Sequence, residues 1–188
     1  MSHSTIARGD ASHLREPVVP SSTGEVQGIG HVQRTTLALD ATAALASVDS
    51  LNQLLADTIT LRDLYKKHHW QTLGPTFYML HLLFDKHAEE QTRLIDLVAE
   101  RIQALGGVAI AMGADVAEAT LIPRAPKGRE DTAAQLARLL HAHEVILLEA
   151  RAMARDTASA GDVGTNDIIV SDIIRANELQ VWFVAQHV

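Results

Sequence analysis

The chain has 188 residues, a formal charge of −7 and no cysteine. That length suits one compact domain with a full core, and the missing thiols exclude a disulfide framework, a thiolate zinc site and a cysteine nucleophile, so any metal must be held by imidazole and carboxylate. The acidic balance argues against a surface dedicated to phosphate backbones, which draw their binding energy from clustered Lys and Arg, and fits cationic partners, metal ions included.

Residues 1–35 mix Ser, Gly, Pro, Val and His without helical or strand period and read as a flexible N-terminal arm; 36–188 read as the folded domain. The opening MSHSTIARGDASHLREP has no apolar core of signal-peptide length, and no later apolar run approaches the ~20 residues a bilayer span needs, so the expectation is a cytoplasmic protein without a membrane partner. The arm's arginines are nearly matched by acids, unlike a lysine-rich DNA tail.

From Ser47 the apolar positions Leu51, Leu54, Leu55, Ile59, Leu61 and Leu64 follow a 3.6 period and predict a first helix ending near TLGP. Gly74 suits a helix end and Pro75 the first turn of the next helix, with Thr72 or Thr76 as a capping oxygen. A second helix is predicted from Pro75 to Leu105, closed by Gly106 and Gly107. Residues 108–129 form a long connection holding one short helix, ADVAEAT. A third long helix is predicted over Glu130–Ser159, and a fourth from an N-cap at Thr165 to the C-terminus. The fold class is therefore all-α: a four-helix bundle with a short helix in the long crossover between its second and third members.

Around the first turn the histidines gather. His69 lies five residues before Gly74 and His81 six after Pro75, so an antiparallel helix pair returns both to a similar depth, roughly 8 Å from the turn. Asp85, four residues after His81, adds a carboxylate on the same helix face, and Asp96 and Glu100 form a second pair at the same spacing. His81 and Asp96 are about 22 Å apart along a continuous helix, far beyond the ~2 Å of metal ligation, so they cannot serve one ion within one chain. Two copies packed antiparallel about a two-fold axis near Glu90 and Gln91 would set His81 and Asp85 of one against Asp96 and Glu100 of the other, twice over. Such a mixed imidazole and carboxylate set suits ferrous iron and also zinc or manganese.

The stretch HHWQTLGPTFYMLHLLFDKHAEEQTRLIDLVAERIQALGG resembles the signature of Dps mini-ferritins, through His69-Trp70, Gly74, Phe77, His81, Asp85, Asp96, Glu100-Arg101 and Gly106-Gly107; the later WFVAQH also looks like a Dps C-terminus. The resemblance implies a ferritin-like fold and a hollow dodecamer built from two-fold dimers. It implies ferroxidase centres that oxidise Fe(II), preferably with hydrogen peroxide and otherwise with oxygen, store Fe(III) mineral and so protect against oxidative stress. Carried over residue by residue, His69, His81 and Asp85 come from one subunit and Asp96 with Glu100 from its mate; these five are both the metal ligands and the catalytic residues.

Competing readings exist for several residues. Asp96 and Glu100 also fit a surface charge pattern with Arg93 and Arg101, or Arg101 braces Glu100. Trp70 reads as a packing residue or, as the family suggests, an electron donor. His68 reads as solvated or supporting the ligands, His141 as exposed and His143 as a hydrogen-bonded core residue; His87 and His187 are candidates to join the centre, and His3, His13 and His31 for a peripheral metal site. Glu89, Glu90 and Glu118 are candidates to line a mineral cavity. A di-iron oxygenase would need Glu-x-x-His within one bundle, and no Glu here has His three residues on. The alternatives kept are a DNA-condensing, nucleoid-associated structural protein, against which the acidic charge counts, so that DNA binding is expected to be weak or absent, and a slow centre in which zinc competes for the site.

Overall fold

The computed structural model describes residues 24–188. The first helix, α1 (Ala41–Gln71), starts six residues before the expected Ser47, because the Asp40 carboxylate accepts from the backbone N–H groups of Thr42 and Ala43 and the Ala-rich turn that follows favours helix. It stops at Thr72, and Gly74, at φ 92°, reverses the chain with its carbonyl accepting from the Phe77 N–H. The second helix, α2 (Phe77–Ala104), follows at once. Neither threonine caps as expected: Thr76 makes no side-chain cap bond, and the Thr72 hydroxyl is buried without a partner.

A long connection carrying the short α3 (Gly113–Ala119) leads to α4 (Thr132–Ser159). One face of α1 holds this crossover by its backbone. Asn52 both donates to the Val108 carbonyl and accepts from the Ile110 N–H, Gln53 donates to the Ala119 carbonyl, and Asp57 accepts from Thr120, Leu121 and Ile122. Further on, Lys67 pairs with Glu130. These contacts run in the direction of α1, so α4 begins beside the α1–α2 turn and runs antiparallel to α1, an up-down-down-up bundle.

The last rod comprises α5 (Val163–Asp167), a π-helical stretch (Ile168–Ile174) and α6 (Arg175–Ala185). Its cap is Asp162, whose carboxylate accepts from the Thr165 N–H; Thr165, the expected cap, instead donates its hydroxyl to Asp162. Ser47 of α1 and Arg101 of α2 also donate to Asp162, and Arg101 Nε bonds the Thr165 hydroxyl, so Asp162 ties three rods together and Arg101 is bonded there rather than to Glu100. Burial works to raise the Asp162 carboxyl, but the Thr165 and Ser47 bonds and the guanidinium hold it below the usual range.

Val48, Leu51, Leu55, Leu61, Leu80, Phe84, Val98, Ile102, Leu139, Ile146, Ile169 and Ile173 meet in one core with no solvent exposure. Each is worth about 1.5–3 kcal/mol on burial, which is what fixes the rotational phase of the helices and thereby the direction of every polar side chain on them. Of the expected arm, residues 1–23 lie outside the described residues; from Gly24 on, the segment rests on the end of α2. There Gln27 and the Gln33 N–H both donate to the Gly106 carbonyl. Gly106 has φ 87°, and a side chain there would run into the Gln33 carbonyl.

Candidate metal centre

His69 in the last turn of α1 and His81 in the first turns of α2 stack face to face, with ring centroids 3.8 Å apart and planes at 21°. Each ring bonds the other residue's backbone: His69 Nδ1 lies 2.8 Å from the His81 carbonyl and His81 Nδ1 lies 2.9 Å from the His69 carbonyl. A carbonyl can only accept, so both Nδ1 atoms carry the proton, and each Nε2 keeps a free lone pair. The His69 carbonyl is one of the orphan acceptors of a helix end, which explains why a ring can claim it. Outer bonds of this kind fix tautomer and orientation in metal-binding histidines. The residues present therefore fit a metal ion on their Nε2 atoms.

Asp85 completes this half. Its carboxylate stands 3.9 Å from His69 Nε2 and receives the Lys66 ammonium at 2.5 Å. The Lys66 bond holds the Asp85 carboxyl below its ordinary range. Lys66, which sequence reasoning missed, thus already neutralises Asp85 with a resident cation.

The structure does not bring Asp96 and Glu100 to this group. Both are exposed on the far part of α2, about 22 Å along the helix from His81. Among the described residues, no three His, Asp or Glu side chains of the chain stand close enough to hold a metal ion. Yet Tyr78, Leu82, Glu89, Thr92, Asp96 and Glu100 form one exposed stripe along α2, with Asp85 on it half-buried. Gln91, placed by the sequence reading at a two-fold contact, points inward instead, to Asn177 and Gln180; Glu89 and Thr92 are the exposed groups at that level.

The remaining histidines divide cleanly. His87 is turned into the bundle and does not join the centre: its Nδ1 bonds the Tyr65 hydroxyl. His68 is fully buried with neither ring nitrogen bonded, contrary to the solvated or supporting position expected of it, and burial pushes it down to about 4. His143 is a hydrogen-bonded core residue and His141 is exposed, both as expected. His31 and His187 are exposed, and His3 and His13 lie outside the described residues. Glu90 bonds Gln180 and Lys86, while Glu89 and Glu118 are exposed.

The bundle topology and the paired imidazole and carboxylate groups at a helix turn define the class: a ferritin-like helical protein. A family model described as a ferritin-like domain matches residues 48–188. The structure of DpsC from Streptomyces coelicolor is 54% identical, with a TM-score of 0.85 over 86% of this chain and 94% of that one. A Dps protein from Vibrio cholerae, titled a member of a broad superfamily of ferritin-like diiron-carboxylate proteins, is 26% identical, with a TM-score of 0.76 over 83% of this chain and 98% of that one. An uncharacterised protein of Kitasatospora aureofaciens is 48% identical over 78% of this chain and 98% of its own length, and a DNA protection during starvation protein of Halobacterium salinarum is 42% identical over 47% and 46%. The chain belongs to the Dps family of ferritin-like proteins. No helix among the described residues is long and apolar enough to cross a membrane.

Proposed function

We propose that the protein is a ferroxidase and iron store, oxidising Fe(II), preferably with hydrogen peroxide, at centres shared between two copies of the chain. The observation that carries this reading is the cross-bonded histidine pair. His69 and His81 present two aligned Nε2 lone pairs beside Asp85, a half-centre that is built for a cation yet lacks enough ligands within one chain. Asp96 and Glu100, exposed at the other end of the same helix, supply the missing carboxylates when a second copy lies antiparallel across α2. Support for that contact comes from the apolar side chains left open around it: Trp70, Leu73, Tyr78, Met79 and Leu82 are all close to half exposed or more. Closed assembly of such dimers into a hollow dodecamer, with mineral inside, is the arrangement that family membership favours.

The residues divide the work by charge. Imidazoles anchor Fe(II), and the carboxylates favour the higher charge of Fe(III), so oxidation strengthens binding where Asp85, Asp96 and Glu100 converge. Two Fe(II) together give the two electrons that peroxide needs to become water, which removes both reactants of hydroxyl-radical chemistry. Zinc, with the same taste for imidazole and carboxylate, competes for the site. The test is Asp96→Ala combined with Glu100→Ala. Both are exposed, and neither takes part in an ion pair among the described residues, so the change is expected to leave stability within about 0.5 kcal/mol and assembly intact, while peroxide-driven iron oxidation slows greatly. Unchanged kinetics would remove the shared centre.

A further inference from the structure

The open stripe of α2 is crowded with carboxylates. Asp85, Glu89, Asp96 and Glu100 follow one another along it, and Arg93 stands between the second and the third. Arg93 lies four residues after Glu89 and three before Asp96, spacings at which opposite charges on a helix can meet. They do not meet here. Glu89 and Arg93 are both exposed, and neither takes part in an ion pair among the described residues, although Lys86 and Glu90 beside them do pair at the same spacing. Around the helix Glu89 stands about 40° and Arg93 about 80° from Asp85, so both share the face that carries the metal ligands.

Two copies lying antiparallel across this face can slide along one another, and the charges choose among the registers. The register that sets His81 and Asp85 against Glu100 and Asp96 of the other copy brings Glu89 level with the other copy's Thr92, about 1.5 Å along the axis from its Arg93. Thr92 donates its hydroxyl to the Ala88 carbonyl, which leaves Arg93 as the donor facing Glu89. Two-fold symmetry repeats the meeting on the other side of the axis. A slide of four residues one way sets Glu89 against Asp96 and Asp85 against Glu100; the same slide the other way brings the two Glu89 carboxylates face to face. Opposed like charges suppress such wrong pairings. The register that completes the metal centre and the one that gives each Glu89 a cation are therefore the same. We propose that Glu89 and Arg93 form two symmetry-related ion pairs between copies of the chain, fixing the register in which α2 meets α2. The proposal rests on the shared-centre reading for its geometry. Exposed apolar side chains around the turn supply the contact area, and the ion pairs decide where along the helix it closes, since such pairs contribute more to specificity than to strength.

Charge reversal tests this on the full chain, without iron. Glu89→Arg alone and Arg93→Glu alone each put like charges at both contacts, whereas a dimer of one variant with the other has opposite charges at both. Both positions are exposed, so the variants are expected to keep the helical content seen by circular dichroism. Analytical ultracentrifugation over a dilution series measures assembly, and native mass spectrometry of isotope-labelled chains shows which copies pair. Each single variant is expected to dissociate at a protein concentration about tenfold or more above that of the unaltered protein, and the equimolar mixture to return to within about threefold of it. Mixed dimers are expected well above the roughly one half that random pairing gives. The variant carrying both changes is expected to assemble like the unaltered protein, because it exchanges the ends of each pair. Single variants that assemble as the unaltered protein does, or a mixture no better than its components, overturn the proposal; a pair formed within one chain gives the second result, because mixing cannot repair it. Iron oxidation by peroxide no faster than in buffer, in unaltered protein that passes the charge test, overturns the ferroxidase reading instead and leaves the contact standing.

Discussion

A shared centre has a consequence that no centre within one chain can imitate. Consider one variant carrying His81→Ala and a second carrying Asp96→Ala with Glu100→Ala. Each alone has no intact centre. In a mixed dimer with the isologous geometry that α2 permits, one of the two sites combines both lesions, while the other combines the unaltered His69, His81 and Asp85 of one copy with the unaltered Asp96 and Glu100 of the other. Random pairing at equal amounts makes half the dimers mixed, each with one good site of two, so roughly one quarter of the original sites return. Co-expression of the variants with different tags and stopped-flow iron oxidation of the doubly tagged and total pools measure this. Because nearly every dodecamer assembled from both variants carries both tags, the doubly tagged pool and the total pool are both expected at about a quarter of the unaltered activity. Activity that stays at the level of the separate variants refutes the shared centre, because a site built from one chain is broken in every chain present.

Further expectations concern residues around this centre and the frame that holds it. Replacing Lys66 by Met removes a half-exposed cation from Asp85 and is expected to tighten Fe(II) or Zn(II) binding by up to about fivefold, since such a pair is worth no more than ~1 kcal/mol; anaerobic titration calorimetry checks it. Arg101→Met leaves the nearly fully buried Asp162 carboxylate with only Ser47 and Thr165 as partners and is expected to cost about 3 kcal/mol in denaturant unfolding. Glu149 is pushed up to about 8 by burial and by the adjacent Asp57. Because its folded value lies above the ordinary 4.5, the native state binds more protons than the unfolded chain between those values. Stability from this group is therefore present at low pH and lost as pH rises through about 8. Glu149→Gln is expected to flatten the pH dependence over that window and to raise stability at its upper end, as read by unfolding titrations at several pH values.

The four long rods could be read from sequence because their apolar residues recur at the helical period and the breaks fall at Gly74-Pro75 and Gly106-Gly107. The meeting of His69 and His81 was legible for a related reason: distance from a tight turn converts residue count into depth, which brings the two rings and Asp85 to one level and keeps Asp96 away. Rotational phase was harder. Whether His68 or His69 faces the turn depends on a 100° step that only packing decides, and the structure buries His68 completely. Lys66 was invisible because its partner Asp85 lies on another helix. The bonds that join Tyr65 to His87 and His143 were invisible for the same reason, since the three residues sit on three different helices. The π-helical stretch left no trace either, because Ile168, Ile169, Val170, Ile173 and Ile174 suit an i,i+5 register as well as an i,i+4 one.

The central claim is that paired Fe(II), held by His69, His81 and Asp85 of one copy with Asp96 and Glu100 of the other, is oxidised by peroxide. Its most direct test is anaerobic loading of metal-free protein with Fe(II), followed by stopped-flow absorbance on adding hydrogen peroxide, with oxygen in a parallel syringe. The expected result is rapid oxidation at about two Fe(II) per peroxide, faster with peroxide than with oxygen, with the iron retained in the protein. Oxidation no faster than in protein-free buffer would contradict it.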